Sequence, residues 1–442
     1  AAKKKRVPPR KGGKVVLAWP KTTKGANGRV PHGNLARWLA RQVGPTKLKP
    51  RKPKTKAAAS AAAAPRALAA TAASATGAPL ATAAATTSTT PNFVPDGKTQ
   101  KLQLMRSFDI PADDPSYKRL ENLSFTYDSA IAAIAFLGSD NKPQAEMLLD
   151  QLAALQREDG SIDLAYNTAN GDSARIFRTG TVAWTGLAAV TYKRLTGSGK
   201  YDNLARSAAG WLLTQQGSDG LLRGGPDVKW VSTQNNIVAS QFLRQYTGSK
   251  QSTYNKQGDV IAAAVTDKLL VDGRFVQGIA DGVHPTDVQA LGALLLEQQG
   301  DTENAKRVLE NMIKDDRIDN VSIDLSNKPA TYNMTYEAKG PFIGMRPYAE
   351  EDAPDLIWFE WTVQAKLAMD RMGFADADMS KSMDAWEQVS AFGKDGPLGE
   401  FVSVLSAEPN PVPLLIAAYA IRRLPYIVRS TVAGLEQTSG EL

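Results

Sequence analysis

The sequence contains no cysteine, only two histidines and no acidic residue before Asp96. The lack of cysteine excludes disulfides and thiolate metal sites, and two histidines, His32 and His284, are too few for a histidine-rich metal centre. No apolar run approaches the roughly 20 residues that a membrane-spanning helix needs. P-loop, nucleophile-elbow, zincin and dinucleotide-binding motifs are also missing. We therefore expect neither a metal nor another cofactor.

Charge is divided unevenly along the chain. The net charge of +8 comes from 53 basic and 45 acidic residues, yet residues 1–95 hold 19 basic residues and no acid. Residues 96–442 carry the remaining 34 basic and all 45 acidic residues. A basic arm on an acidic body indicates a separate partner for the arm, such as an anionic surface, a nucleic acid or an assembly component. A solvated, solubilising tail is the alternative interpretation.

Composition divides the chain into three parts. Residues 1–56 are rich in Lys, Arg, Pro and Gly and cannot form a core. Within them, a short anchor helix is predicted over 34–43, because apolar residues recur there at helical spacing: Leu35, Trp38, Leu39 and Val43. Residues 57–95 are mostly Ala, Thr, Ser and Pro, which is typical of a linker. They lack the leucine-rich centre of a cleavable signal peptide. Residues 96–442 are predicted to form the folded domain.

From about residue 120 the sequence repeats as pairs of helices. Apolar residues at i, i+3, i+4 and i+7 predict helices throughout, with no convincing run of alternating strand residues. The first helix of each pair is richer in small and apolar residues on all sides, which is typical of an inner ring covered by an outer one. Six such units predict an all-α (α/α)6 toroid behind the basic arm. The first helices are predicted to begin near Tyr127, Gly180, Gln234, Thr286, Glu360 and Asn410.

The starts of these first helices are the predicted site, because in a toroid they lie together at one end. Glycoside cleavage needs two carboxylates, and sugar binding uses aromatic faces with polar groups. The predicted catalytic residues are Asp128 and Glu360, with Asp287 third. The predicted substrate-binding residues are Tyr127, Trp230, Gln234, Asn235, Trp358 and Trp361. Helix capping also explains the aspartates, and core packing also explains several of the tryptophans.

Two loops share a turn pattern. LQREDGSI at 155–162 and TQQGSDGLL at 214–222 each end a second helix with Gln and return through Asp-Gly. The glycines suit the positive φ that is common just beyond a helix C-terminus. Terpene cyclases of the toroid class contain a similar Q-x-x-D-G pattern. However, they need an acidic protonating cluster that is not found here, so a structural role is favoured.

Six segments in order resemble bacterial six-hairpin glycosidase-like proteins. The segments are TYDSAIAAIAFL, LQREDGSIDLAYNT, TGTVAWTGLAAV, GGPDVKWVSTQNN, DVQALGALLL and DLIWFEWTVQAKLAM, within residues 120–375. The corresponding family patterns look like TYDNALA, DGxxxxAY, TGxxAW, WxSTEHN, DxQ and WFEGTAQ. The resemblance implies a toroid with a carbohydrate site that includes Tyr127, Asp128 and Glu360.

The chain departs from that pattern at two places. Gln234 and Asn235 stand where the family has Glu-His, and amides cannot exchange protons as a carboxylate and an imidazole do. Trp361 stands where the family has Gly, which we expect to narrow the site.

Three functions remain open. The first is a glycan-binding or structural module with weak or no catalysis, anchored by its arm to a larger, multimeric assembly such as a virion or cell surface. The second is an active glycoside hydrolase or polysaccharide lyase that uses Asp128 and Glu360. The third is a nucleic-acid-associated protein that binds through its tail. The first suits a location on a virion or an extracellular surface.

Overall fold

A computed structural model describes the chain in segments, most of which belong to one helical region. The described residues are 43–44, 93–95, 100–107, 118, 121–138, 141–321, 342–351, 353, 356–382, 392–393, 396–397 and 404–406. Helices dominate these residues, and the strands are only two to five residues long. The all-α prediction is confirmed. The predicted sixth first helix, near Asn410, and most of the basic arm and linker lie outside the described residues.

The first helix of each described hairpin begins within one residue of its predicted start. These helices, which we call the inner helices, are α1 (Thr126–Gly138), α3 (Thr179–Thr196), α5 (Thr233–Gln245), α7 (Thr286–Gln298) and α9 (Phe359–Arg371). Each packs against the inner helix of the next hairpin. Nearly all residues of α3, α5 and α7 are buried, as the apolar sequence of such helices as α7 (TDVQALGALLLEQ) predicts.

The second helix of each hairpin packs on the outside of the first. These outer helices are α2 (Lys142–Leu155), α4 (Asp202–Thr214), α6 (Gln251–Leu269) and α8 (Thr302–Asp316). They are amphipathic: α8 buries only a stripe, made of Ala305, Val308, Leu309, Met312 and Asp316. Among the helices that the structure describes, none combines the length and apolarity needed to cross a membrane.

Four inner helices begin with a threonine that ties them to a loop of their own hairpin. The free N–H at the start of a helix needs an acceptor, and here the acceptor is a carbonyl in the loop after the outer helix. We call each such arrangement a threonine clasp. The backbone bonds run from Thr126 to Leu164 (3.0 Å), Thr179 to Gly224 (3.0 Å), Thr233 to Gln277 (2.9 Å) and Thr286 to Pro347 (3.1 Å). In three clasps the threonine hydroxyl also donates to that loop, to the carbonyls of Asp163, Val276 and Arg346.

The strands form short antiparallel ribbons in the connections. They pair β1 (Leu123–Phe125) with β2 (Ala165–Asn167), β3 (Leu270–Val271) with β4 (Arg274–Phe275), β5 (Arg317–Val321) with β6 (Phe342–Met345), β7 (Leu356–Trp358) with β10 (Val404–Ser406), and β8 (Phe392–Gly393) with β9 (Gly396–Pro397). The β5–β6 ribbon pairs Arg317 with Met345 and Val321 with Phe342, and residues 322–341 between its two strands lie outside the described residues.

The two Q-x-x-D-G loops have the structural role that their sequence predicts. Gly160 and Gly220 have φ values of +92° and +86°. The Gln156 and Gln216 side chains donate to the carbonyls of these glycines at 3.1 and 2.9 Å. The glycines therefore close equivalent turns in successive hairpins.

Two short pieces of the predicted arm and linker lie against the helical domain. Val43 forms an antiparallel bridge with Met105, and the N–H of Gly44 donates to Leu104 at 2.7 Å. Val94 forms a second bridge, with Ser173. The domain boundary at residue 96 remains a prediction, but the contacts of the domain extend to both of these upstream segments.

Glycines set the spacing between inner helices, and one of them supports a test. A β-carbon at Gly186, in the middle of α3, would lie 2.3 Å from the ring of Phe242 on α5, which is fully buried. We expect Gly186→Ala to lower the unfolding free energy by about 1–3 kcal/mol, because overpacking outweighs the better helix propensity of alanine. Urea unfolding followed by circular dichroism measures the change.

Gly210, in the middle of α4, is the matched control. Only the Tyr254 hydroxyl lies within 4 Å of a β-carbon built there, at 3.9 Å. We expect Gly210→Ala to raise stability by about 0.5–1 kcal/mol. Equal effects at the two positions would contradict the close approach of α3 and α5.

Candidate functional site

The first turns of the inner helices lie side by side and form the candidate site. We call the set of residues 126–129, 179–182, 233–236, 286–289 and 359–362 the first-turn ring. The second residues of these turns are Tyr127, Gly180, Gln234, Asp287 and Glu360. Of the predicted catalytic residues, the ring includes Asp128, Asp287 and the backbone of Glu360. The side chains of Glu360 and Trp358 lie outside what the structure describes.

A hydrogen bond joins the first turns of α5 and α7. Gln234 Nε2 donates to Asp287 Oδ2 at 2.8 Å, and the two residues are 6% and 3% exposed. They are the second residues of neighbouring inner helices, so this contact follows directly from the repeat. A carboxylate in the first turn of a helix is also stabilised by the helix dipole.

Asn235 joins the first turns of α5 and α3. Its amide packs against Gly180, where a β-carbon would lie 2.3 Å from Asn235 Oδ1, so only glycine leaves room for the amide. Asn235 is 3% exposed, and among the described residues no acceptor is bonded to its Nδ2. A buried donor of this kind is costly unless it is bonded, so a ligand hydroxyl at this point would gain a strong interaction.

Asn236 has a structural role instead. Its Oδ1 accepts from the Leu222 N–H at 2.7 Å, and its Nδ2 donates to the carbonyls of Leu222 and Ser232. Gln289 holds Phe275 in the same way, accepting from its N–H at 2.8 Å and donating to its carbonyl at 2.6 Å. Asn236 and Gln289 are the fourth residues of α5 and α7, and each stabilises the loop that precedes its own helix.

Of the predicted aromatic binding residues, Tyr127 and Trp361 belong to the first-turn ring, and Trp230 lies three residues before α5. Tyr127 packs edge to face on Trp184, with ring centroids 5.4 Å apart. Trp230 is half-buried; it packs against Gly224 and lies 5.9 Å from the guanidinium of Arg178. Trp361 is only 1% exposed, so its indole offers no stacking face in this conformation.

A histidine–carboxylate pair lies just before α7. His284 Nδ1 is 2.7 Å from Glu350 Oε1, and the backbone N–H of His284 donates to the same oxygen at 3.1 Å. Nearby, burial raises the pKa of Asp281, and the charge of Glu350 adds to that rise. The pair orients the imidazole at the edge of the first-turn ring, two residues before α7 begins.

Sequence reasoning missed two buried carboxyl groups beside the ring. Asp163, 2% exposed, accepts from Arg157 at 2.8 Å, and its carbonyl accepts from Thr126 at the start of α1. Asp316, fully buried, lies 3.0 Å from the Thr286 hydroxyl, and burial raises the pKa of its carboxyl to about 7. Asp316 continues the buried stripe of α8, and that spacing is the one signal that identifies it.

Comparison with known proteins gives structural matches only. Family models and curated proteins give no match to the sequence. Among solved structures, a glycoside hydrolase family 76 mannosidase from Bacteroides thetaiotaomicron aligns with a TM-score of 0.51 and 12% identity, covering 84% of this chain and 99% of that one. A cellobiose 2-epimerase from Bacillus thermoamylovorans aligns with a TM-score of 0.54 and 10% identity, covering 76% and 93%. A glycosidase in complex with glucose gives 0.52 and 11%, covering 84% and 98%.

These matches establish the fold. The chain has the six-hairpin glycosidase-like (α/α)6 toroid fold that the mannosidase, the epimerase and the glycosidase share, which confirms the predicted fold class. Within the described part of the chain, no group of three or more His, Asp or Glu side chains could hold a metal ion.

Proposed function

We propose that the protein binds an oligosaccharide or polysaccharide at its first-turn ring, with weak or no turnover. The observation that carries the proposal is the pair of buried amides at 234 and 235, of which Asn235 has a donor with no acceptor among the described residues. Amides recognise hydroxyls but cannot transfer protons at neutral pH, so this part of the site suits binding better than catalysis. The structural neighbours, which include a mannosidase, a cellobiose 2-epimerase and a glycosidase bound to glucose, support a carbohydrate ligand.

The ring offers the mixture of groups that sugars need. Asp287 supplies a hydroxyl acceptor, Asn235 Nδ2 supplies a donor, and half-buried Trp230 supplies an aromatic surface nearby. We leave Trp361 out of the proposed contacts because it is buried. Tyr127 and Trp358 remain proposed binding residues, the former where it packs on Trp184.

Catalysis is the second candidate function. Asp128, in the first turn of α1, and Glu360, in the first turn of α9, are carboxylic residues at the same end of the toroid. The enzyme class that this fold favours is a glycoside hydrolase that acts through these two residues, with Asp287 as a third carboxylate. A polysaccharide lyase is the alternative enzyme class. Reducing-sugar release from a polysaccharide panel, lost in Glu360→Gln, would establish it.

We expect measurable glycan binding that depends on Asn235. Isothermal calorimetry of the full chain with cellotriose, maltotriose and mannotriose tests for weak affinity with at least one of them. Asn235→Ala should weaken that affinity by about tenfold, because one buried hydrogen bond is lost. Trp230→Ala should weaken it by about three- to tenfold through lost stacking.

Asn203 provides the control for this experiment. It is an exposed residue in the first turn of outer helix α4, away from the first-turn ring. Asn203→Ala should bind like the wild type. Equal losses in the Asn203 and Asn235 variants, or no binding of any of the three sugars, would count against a glycan site at the ring.

The basic arm is proposed to fix the toroid to a larger assembly, a virion or a cell surface. Residues 1–95 hold 19 basic residues and no acid, which an ordinary enzyme leader does not explain. A variant that lacks residues 1–42 keeps the Val43–Met105 bridge. If this variant no longer co-purifies with a particle, the loss is due to the arm itself. If the arm binds nucleic acid instead, affinity for duplex DNA should fall steeply with salt, with a log–log slope of roughly −0.9 per phosphate contact.

A further inference from the structure

Gln234 and Asp287 form a chemically asymmetric pair at equivalent positions of adjacent helices. Both are buried, and the amide Nε2 lies 2.8 Å from the carboxylate Oδ2. An ionised carboxylate only accepts hydrogen bonds, whereas the NH₂ of an amide only donates. Gln234 therefore stabilises Asp287 in its ionised form, and the first turn of α7 does so as well.

Asp287 and Asn235 are both linked to the first turn of α5. Gln234 of this turn bonds Asp287 on the α7 side, and the next residue, Asn235, packs against Gly180 on the α3 side and has an amide donor with no acceptor among the described residues. Asp128 lies on α1, separated from Asp287 by α3 and α5. An acceptor and a donor of this kind are the groups that bind the hydroxyls of a sugar.

We propose that Gln234 is a positioning residue that holds Asp287 as the ionised acceptor for a sugar hydroxyl, and that Asp287 rather than Asp128 touches the glycan. This inference rests on the proposed function. Glutamate at position 234 would place two carboxylates about 2.8 Å apart, and such a pair keeps one shared proton. With glutamine at 234 there is no such shared proton, so Asp287 carries a fixed negative charge in the ring.

The pairing can be tested without a ligand. In Gln234→Glu the folded pair retains a proton that the unfolded chain releases, so the variant should become less stable as pH rises. Relative to wild type, its unfolding midpoint should fall by about 2–4 °C more at pH 8 than at pH 5. The double variant Gln234→Glu with Asp287→Asn exchanges the acid and the amide without changing shape, and should remove this pH-dependent deficit.

Other ionisable groups near the ring are the same in all these variants, so the differences isolate the pair. On α1 and α9 they are Asp128 and Glu360, and beside the starts of α1 and α3 they are Arg157, Asp163 and Arg178. Around the start of α7 they are Asp281, His284, Asp316, Arg346 and Glu350. If Gln234→Glu follows the wild-type pH dependence, the two side chains are not coupled and the proposal is overturned.

Sugar binding tests the second part of the proposal. With the trisaccharide that the wild type binds, Asp287→Asn should weaken affinity about 10- to 100-fold, because a hydrogen bond to a charged acceptor is lost. Asp128→Asn should weaken affinity less than Asp287→Asn does. The reverse order would assign the contact to Asp128 and overturn the proposal. If the wild type binds none of the three sugars, the proposed function fails, while the unfolding experiment still decides whether Gln234 positions Asp287.

Discussion

Between pH 4 and pH 7, wild-type protein should lose about 3 kcal/mol of stability relative to an Asp316→Asn variant. Burial raises the pKa of Asp316 to about 7, whereas an unfolded aspartate has a pKa near 3.9. The folded chain keeps a proton that the unfolded chain releases. This contribution to stability is therefore complete below about pH 4 and is lost as pH rises to about 7.

The geometry around Asp316 supports the protonated state. The Thr286 hydroxyl has one proton and lies 2.6 Å from the Arg346 carbonyl, which can only accept, and 3.0 Å from Asp316 Oδ2. When the threonine donates to the nearer carbonyl, a protonated Asp316 can donate to the threonine. Asparagine at 316 keeps a donor there at every pH. The charges around this carboxyl are Arg274 and Arg346, which favour ionisation, and Glu350, which opposes it.

Urea unfolding at pH 4, 5, 6, 7 and 8 measures this effect. The stability difference between Asp316→Asn and wild type should rise by about 1.4 kcal/mol per pH unit at its steepest. Asp315→Asn is the matched control, because Asp315 is the neighbouring residue and pairs with Arg274 at a partly exposed position. A flat difference for the Asp316 variant would show that this carboxyl is ionised in the folded protein.

Gln289→Leu is expected to destabilise the fold by about 2–5 kcal/mol. The Gln289 side chain is fully buried and satisfies both the N–H and the carbonyl of Phe275. Leucine fits the volume but leaves two buried backbone groups without partners, each costing about 1–3 kcal/mol. Thermal and urea unfolding measure the loss.

Gln299 gives the comparison for this change. It caps the same helix, α7, but is exposed, and its Oε1 accepts from Thr266. Gln299→Leu should change stability by less than about 0.5–1 kcal/mol. If Gln289→Leu lowers stability as little as Gln299→Leu does, the hydrogen bonds to Phe275 do not stabilise the loop that leads to α7.

The repeat made the fold predictable, but not the details of the site. The starts of α1, α3, α5, α7 and α9 follow from where apolar helical spacing begins after polar, turn-rich sequence. The glycines Gly160 and Gly220 follow from the needs of a helix C-terminus. Both signals are local, so one sequence suffices to show them.

The threonine clasps and the Gln234–Asp287 bond could not be predicted in this way. Each joins residues 38 to 61 positions apart, and threonine or glutamine at a helix start has many ordinary explanations. The role of Trp361 could not be predicted from the sequence either. An indole near a predicted site suggests stacking on a sugar, and only the structure shows that this indole is buried. Asp163 and Asp316 are buried beside Thr126 and Thr286, which are 37 and 30 positions away in the sequence.

The bridges at Val43 and Val94 determine how far the basic arm can extend. Because both ends of the segment 45–92 are held on the domain, its length adds nothing to the span of the arm. The 42 residues before Val43 span at most about 150 Å when fully stretched. A partner bound by any of them must therefore lie within that distance of Met105. Lengthening or shortening the alanine- and threonine-rich segment should therefore leave the spacing between toroid and partner unchanged.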